Sequence, residues 1–329
     1  MNPLVAHLVS GQILFTGLPL MILLIWGYER ITRPELRRLT LALVWICGVF
    51  TLSTTAVPWW AIALLIASLG CWSARSWLAA RQLPGWVILA LPIGISVLLV
   101  AAEIPWTMCP TVALGDDRSI VVWGDSLSAG LGEGEGTPWP LQLRDAHRLK
   151  VHNLSEAGAT TQDALRQIKS TDHFPGLVIV ELGGNDLLGG RSCEAFAHDL
   201  DGILAYLHDH QRTVMMLELP VLPGKNQWGV VQRRLARKYD CQLVPKRLLV
   251  DVLASPGATV DTLHLTQLGH QRLAEMVWRV VGPVHAMGRH STDKTNSRSP
   301  HVETTPHYEV GPDRQLATPS LPAVDGPVE

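Results

Sequence analysis

Three polar side chains in this sequence have the types and spacing that nucleophilic catalysis requires. Ser126 follows the run Val-Val-Trp-Gly-Asp at 121–125, which reads as a buried strand that ends abruptly. Asp261 and His264 stand three positions apart. Such a carboxylate accepts a hydrogen bond from one imidazole nitrogen, and the other nitrogen is left to take a serine proton. Alone, Ser126 would be a turn serine or a helix N-cap, and Asp-x-x-His a solvated surface turn. Together they predict attack on an acyl ester.

Two glycine-containing segments could serve the same reaction. The run Gly-Gly-Asn-Asp at 183–186 follows an apolar run, and its glycines allow the backbone to approach a ligand closely. Asn185 offers a neutral amide donor, which is the kind of group that stabilises an oxyanion. Gly158 follows another apolar run, and its backbone N–H could point at the same oxygen. Taken alone, either segment is an ordinary turn.

Short apolar runs alternate with segments of helical spacing after residue 118. The runs lie at 120–123, 150–154, 177–182, 213–217 and 242–245. This alternation predicts a flavodoxin-like, three-layer α/β/α domain with a five-stranded parallel sheet. In such sheets the functional groups gather at the carboxyl ends of the strands, and we expect the segments above to meet at that edge.

Residues 1–103 have the composition of a membrane region. Neither 1–28 nor 39–74 contains Asp, Glu, Lys or Arg, and the first stretch lacks the basic start of a signal peptide. A membrane span takes about 20 apolar residues, so the second stretch accommodates two. We predict four transmembrane helices at about 8–27, 39–56, 58–74 and 85–102, followed by a linker at 104–117. The domain then covers 118–282, and a polar, Pro-rich tail at 283–329 is predicted to be disordered.

The arginines set the expected orientation of these spans. Four arginines follow the first span, at 30, 33, 37 and 38, and two follow the third, at 75 and 81. The positive-inside rule then puts both loops in the cytoplasm. With an even number of spans, the N-terminus and the α/β domain both face outside, into the periplasm of a Gram-negative cell. Loss of one span would reverse this prediction.

The remaining composition narrows the choice of function. The net charge of −2 gives no support to nucleic-acid binding. The sequence contains no Cys-x-x-Cys motif, which would have suggested a metal site. Cys193 and Cys241 could pair only in an oxidising compartment. A basic patch at 233–238 is predicted to be a solvated helix face, with contact to anionic headgroups as the alternative.

The catalytic segments together resemble the SGNH hydrolase family of GDSL-type esterases and lipases. The resemblance covers about 117–282 and none of the spans, and the run Val-Glu-Leu-Gly-Gly-Asn-Asp at 180–186 looks most like the bacterial thioesterase/lysophospholipase branch. Thr262 departs from the pattern, since many members have Gly there. The four blocks, named for Ser, Gly, Asn and His, correspond here to Gly124-Asp125-Ser126, Gly158, Gly183-Gly184-Asn185-Asp186 and Asp261-x-x-His264.

The resemblance implies a role for each of these residues. Ser126 would be the nucleophile, His264 the general base and then acid, and Asp261 the group that orients it. The backbone N–H groups of Ser126 and Gly158 and the side chain of Asn185 would form the oxyanion hole. Two further carboxylates would brace the loops, namely Asp125 and Asp186. No cofactor or metal is implied.

The expected function is that of a membrane-anchored serine esterase, lysophospholipase-, thioesterase- or lipase-like, acting through an acyl-enzyme. Its expected partners are the membrane and an acyl ester or lipid substrate. The alternatives are an O-deacetylase or acyltransferase acting on envelope glycans, and a non-catalytic membrane module that binds an acylated ligand. The expected location is the bacterial inner membrane, with the catalytic domain on the periplasmic side.

Overall fold

The computed structural model describes residues 1–75, 84–130, 136–171, 176–261 and 263–292. Within it, Met1–Arg289 form one compact unit. Three features of the sequence prediction lie outside the described residues: the loop residue Arg81, Thr262 of the last motif, and the tail beyond residue 292.

Five described helices precede the sheet. They are α1 (Pro3–Val9), α2 (Ile13–Arg30), α3 (Pro34–Ser53), α4 (Trp59–Ser73) and α5 (Gly85–Thr107). Three of them, α2, α3 and α5, are long and apolar enough to cross a membrane, with 18, 20 and 23 residues. Helix α4 is apolar but has only 15 residues. At 1.5 Å per residue it spans about 22 Å, short of a hydrocarbon core of about 30 Å. The sequence predicts four full-length spans, and three of the described helices are long enough.

The predicted boundaries of these helices need correction. A single helix over 8–27 is wrong because Gly11, with φ of +78°, separates α1 from α2. Helix α3 starts at Pro34, ahead of the charge-free stretch, since proline fits the first turn of a helix. Helix α5 continues past 102 through Glu103 to Thr107, so the predicted linker begins later than residue 104.

The ends of these helices lie at two levels, a near level beside the α/β domain and a far level at the opposite end of the helices, and the chain runs back and forth between them. At the far level, Glu29 at the end of α2 accepts hydrogen bonds from Trp72 Nε1 (3.0 Å) and Arg75 (2.8 Å) at the end of α4. At the near level, carbonyl groups between α3 and α4 bind the α/β domain: Thr54 O accepts from Lys246 Nζ at 2.8 Å. Despite its length, α4 thus connects the same two levels as α2.

The α/β domain contains a sheet of five parallel strands in the order β2-β1-β3-β4-β5. A strand lies on each of the five predicted runs, so the fold prediction is confirmed. The strands are β1 (Ser119–Gly124), β2 (Lys150–Asn153), β3 (Leu177–Glu181), β4 (Val214–Leu217) and β5 (Gln242–Val244). The helices are α6 (Ser126–Ala129), α7 (Trp139–His147), α8 (Thr161–Lys169), α9 (Gly184–Leu188), α10 (Cys193–Asp209), α11 (Asn226–Lys238), α12 (Lys246–Leu253) and α13 (Gln267–Thr292).

Alternate residues of the strands face two separate helical layers. Val121 and Trp123 of β1 pack with α8, α10 and α11, whereas Ile120 and Val122 pack with α7, α12 and α13. This is the expected result of side chains that alternate along a strand buried on both faces. The strand order changes direction beside β1, with β2 on one side and β3 on the other. A crevice for ligands forms at such a switch point, beyond the carboxyl ends of the strands.

The basic patch and the cysteines differ from expectation. Arg233 on α11 is buried and binds Glu103 of α5 with two hydrogen bonds of 2.7 Å, so it is not part of a solvated face. The pairing partner is distant in sequence, and the local pattern therefore carried no sign of it. Cys193 and Cys241 are both free thiols and do not form the disulfide that an oxidising compartment would allow.

Candidate active site

Ser126 lies at the point where β1 turns into a short helix. Asp125 caps that helix, since its Oδ1 accepts a hydrogen bond from the backbone N–H of Leu127 at 3.0 Å. Ser126 is the first residue of α6 and is half-buried. Gly124 permits the sharp turn, because a Cβ there would lie 2.5 Å from Ser128 Oγ. The strand therefore presents one hydroxyl at the carboxyl edge of the sheet.

His264 and Asp261 form a tight local pair in the loop before α13. His264 Nδ1 lies 2.6 Å from Asp261 Oδ2, and Asp261 Oδ1 accepts from the backbone N–H groups of His264 (2.8 Å) and Leu263 (3.1 Å). These bonds from the His264 backbone, the His264 ring and the Leu263 backbone hold the pKa of Asp261 below its usual range. The carboxylate therefore stays ionised and fixes the orientation of the ring.

The other imidazole nitrogen, Nε2, is not engaged by Asp261. Among the described residues, His264 Nε2 makes no hydrogen bond and none joins His264 to Ser126. The residues that precede them, Leu263 and Asp125, line the same cavity. Such a gap is common without substrate, since catalytic hydrogen bonds often tighten only in the complex.

Asn185 is held between the loops that follow β1 and β2. Its Nδ2 donates to Ala159 O at 3.0 Å and, over a longer 3.3 Å, to Asp125 Oδ2. Gly183 makes this turn possible, because its φ is +113° and a Cβ would approach the Phe196 ring to 2.8 Å. Both amide hydrogens are thus engaged, and the long bond to Asp125 is the one that a ligand oxygen could replace.

The backbone groups predicted for the oxyanion hole are open. Gly158 has φ of +81°, and the space around its missing Cβ is empty to 4 Å. Neither the Gly158 N–H nor the Ser126 N–H donates to a described residue. Asp186, by contrast, is fully buried and accepts from Thr161 N–H (2.8 Å) and Thr161 Oγ1 (2.7 Å), which joins the β3 loop to α8.

A buried carboxyl pair beneath the serine loop was missed in the sequence. Glu181 Oε2, at the end of β3, accepts from Ser128 Oγ at 2.9 Å and from the backbone N–H of Asp125 at 3.3 Å. Burial raises the pKa of Asp125 to about 6, and burial together with the Asp125 charge raises the pKa of Glu181 well above its usual value. An acid within an otherwise apolar run was the signal that could have revealed it.

An apolar cavity of about 340 Å³ adjoins these residues. Its lining includes the neighbours in sequence of three predicted site residues: Leu127 beside Ser126, Gly184 beside Asn185, and Leu263 beside His264. The described residues contain no cluster of three or more His, Cys, Asp or Glu side chains placed to hold a metal ion.

Known proteins resemble the α/β domain. The GDSL-like Lipase/Acylhydrolase family matches residues 122–272. An arylesterase from Vibrio mimicus is 30% identical over 182 residues, which are 51% of this chain and 90% of the relative. Thioesterase 1/protease 1/lysophospholipase L1 from Escherichia coli K12 is 32% identical over 136 residues, 39% of this chain and 65% of the relative. The crystal structure of the SGNH-hydrolase family esterase AlinE4 is 30% identical, with a TM-score of 0.40, and the match covers 56% of this chain and 99% of AlinE4.

The fold and these matches define an SGNH-type hydrolase. The chain belongs to the GDSL-like lipase/acylhydrolase family. It is therefore a carboxylic ester hydrolase.

Proposed function

We propose that this protein is a membrane-anchored serine esterase in which Ser126 is the nucleophile, His264 the general base and acid, and Asp261 the group that orients His264. The observation that carries the proposal is the 2.6 Å contact between Asp261 Oδ2 and His264 Nδ1. It leaves Nε2 as the proton acceptor, on a loop that borders the same cavity as the residue after Ser126.

The reaction then has two acyl transfers. As Ser126 Oγ bonds to the ester carbonyl carbon, its proton passes to His264 Nε2. The carbonyl oxygen becomes an oxyanion near the N–H groups of Ser126 and Gly158 and the Asn185 amide. Collapse of this intermediate breaks the ester bond, and the alcohol leaves with the proton from His264. Water then repeats the sequence on the acyl-enzyme and releases the carboxylic acid.

Helices α2, α3 and α5 support anchoring in a membrane. In the apolar 18-residue stretch of each of these helices, only 22–28% of the residues are buried. Most of this apolar surface therefore needs an apolar solvent. Tryptophans are exposed at both levels of the bundle, Trp59 and Trp60 on the domain side and Trp26 and Trp86 on the far side. Aromatic belts of this kind mark the two interfaces of a bilayer.

The catalytic domain is proposed to face the periplasm. Arg30 at the end of α2, Arg33 ahead of α3 and Arg75 after α4 lie at the far level, and the positive-inside rule makes that level cytoplasmic. Alkaline phosphatase fused to the carboxyl terminus is then expected to be active, and a green fluorescent protein fused at the same point dark. The reverse pattern would mean that the level beside the α/β domain is cytoplasmic, against the positive-inside assignment.

The proposed substrates are acyl esters of the envelope, with lysophospholipids first because the cavity is apolar and the anchor is close. An O-deacetylase or acyltransferase acting on envelope glycans is the alternative within the same chemistry. A fluorophosphonate probe tests the central claim with purified full-length protein. We expect labelling of the wild type and none of Ser126→Ala, while Ser155→Ala, in the next loop, is labelled normally. Equal labelling of Ser126→Ala refutes the nucleophile, and absence of labelling in the wild type favours a non-catalytic module that binds an acylated ligand.

A further inference from the structure

Helix α1 closes one side of the apolar cavity beside the candidate active site. The cavity is lined by Met1, Val5 and Val9 of this segment, and on other sides by Leu222 and Leu249 of the α/β domain. Val5 and Val9 are four positions apart and lie on one face of α1, and Met1 precedes the helix cap. The family match covers residues 122–272, whereas this wall comes from residues 1–9 of the membrane region.

The contacts of α1 fix it against the α/β domain. Met1 packs on the core layer formed by α7, α12 and α13, and Val9 is almost fully buried. Asn2 caps the helix, since its side chain accepts from the backbone N–H of Leu4 at 2.9 Å. Gly11, in a left-handed conformation beside Lys246, then turns the chain into α2. The wall of the cavity is thus joined by one short turn to the first apolar helix.

We propose that α1 is the membrane-side wall of an acyl-chain site, and that it sets the preference of the enzyme for lipid esters with a long acyl chain. The inference rests on the proposed serine esterase function. The occupant is an acyl chain because the lining is apolar apart from Asn2 and the carboxyls Asp125 and Glu181 near the serine, and because the cavity reaches the neighbours of Ser126 and His264. A volume of about 340 Å³ is within the range of small-ligand pockets.

The position of α1 explains how a lipid would reach the serine. Helix α1 lies at the near level of the bundle, where α2 begins and α5 ends. Leu222 and Leu263 at the cavity are partly exposed. A single-chain lipid ester that leaves the outer leaflet would therefore meet apolar side chains from the bilayer to the cavity, while its ester group approaches the polar end at Asp125.

Filling the cavity from α1 tests the proposal. The substrates are p-nitrophenyl acetate and p-nitrophenyl laurate, with the full-length protein in detergent. Val5→Trp places an indole into the chain site, and we expect the laurate-to-acetate ratio of kcat/KM to fall by about tenfold or more, since even one methylene in an apolar pocket changes discrimination by about tenfold. Leu4→Trp is the matched control, because Leu4 is on the same helix but does not line the cavity. Its ratio is expected to equal that of the wild type.

The outcomes separate this inference from the proposed function. An unchanged ratio in Val5→Trp, or an equal fall in Leu4→Trp, overturns the role of α1. If Val5→Trp does not fold, Val5→Ala decides, since the larger cavity is expected to change the ratio and an unchanged one refutes the wall. If the wild type cleaves neither ester, or if Ser126→Ala cleaves both as well as the wild type does, the esterase function itself is refuted.

Discussion

Replacing Glu103 by leucine would remove the carboxylate that links α5 to the α/β domain. Glu103 accepts two hydrogen bonds of 2.7 Å from Arg233, and the two side chains are 6% and 5% exposed. Arg233 also donates to Glu218 at 2.7 Å, and the buried Lys246 lies beside Glu218. Glu103, Glu218, Arg233 and Lys246 thus form a buried group with two positive and two negative charges. Glu103→Leu leaves this group with two positive charges and one negative charge, all away from water.

The expected cost follows from this burial. Burial alone would lower the pKa of Arg233, but Glu218 and Glu103 outweigh it and raise that pKa. The guanidinium therefore stays charged when Glu103 is replaced and Glu218 remains. Removing one partner of a buried ion pair typically costs about 3–5 kcal/mol, because a charge remains without compensation. Glu103→Leu and Arg233→Met are each expected to lose that much. The double variant restores neutrality, so its loss is expected to be at least about 3 kcal/mol below the sum of the single losses.

Thermal unfolding of the full-length protein in detergent, followed by tryptophan fluorescence, measures these losses. A loss of 3–5 kcal/mol corresponds to a fall in Tm of about 6–20 °C for a domain of this size. Arg234→Met is the control, since Arg234 is exposed on the same helix and its loss is expected to stay within about 0.5 kcal/mol. Single losses below about 1 kcal/mol, or losses that simply add in the double variant, would refute the coupling of the two parts through this pair.

Three further predictions concern the site. Asn185→Ala is expected to lower kcat by about 10²–10³-fold with little change in KM, as for loss of an oxyanion donor, and a change confined to KM would contradict that role. Asp261→Asn is expected to lower kcat by about 10⁴-fold at neutral pH while far-ultraviolet circular dichroism is unchanged, and full activity would exclude Asp261 as the orienting group. The third prediction uses the raised pKa of Asp125, about 6 against an ordinary 3.8. Because the native state holds this proton more tightly than the unfolded chain, stability from this group is full below the unfolded pKa and is lost as pH rises through about 6. Relative to Asp125→Asn, the free energy of unfolding of the wild type is expected to gain up to about 3 kcal/mol between pH 7 and pH 4, and a flat difference would refute the shift.

The sheet and the predicted site residues could be read from the sequence because their signals are local. A strand is recognisable from a few consecutive apolar residues, and Ser126, Gly158 and Asn185 each lie in the loop that follows such a run. Parallel strands bring their carboxyl ends to one edge, so the prediction that these loops meet needed no knowledge of packing. The Asp261 and His264 pair is local too, since three positions allow the contact within one turn.

Residues whose roles depend on partners far along the chain could not be found in this way. Arg233 is a buried ion-pair partner only because Glu103, 130 positions earlier, is brought to it. Glu181 appears as one acid in an apolar strand until Ser128 and Asp125 surround it.

The sequence by itself determined the α/β domain, its apolar N-terminal helices and the set of candidate site residues, because strand periodicity, helix hydropathy and turn chemistry act over a few residues. Only the tertiary structure decided which charges are buried together and which surfaces close the cavity. Helix α1 shows the difference. Its residues fall within the predicted membrane region, mostly ahead of the first predicted span at 8–27. In the structure Met1 packs on the core of the α/β domain, and Met1, Val5 and Val9 form a wall beside the site. Burial and pairing are properties of the whole chain, and they are absent from any short segment of it.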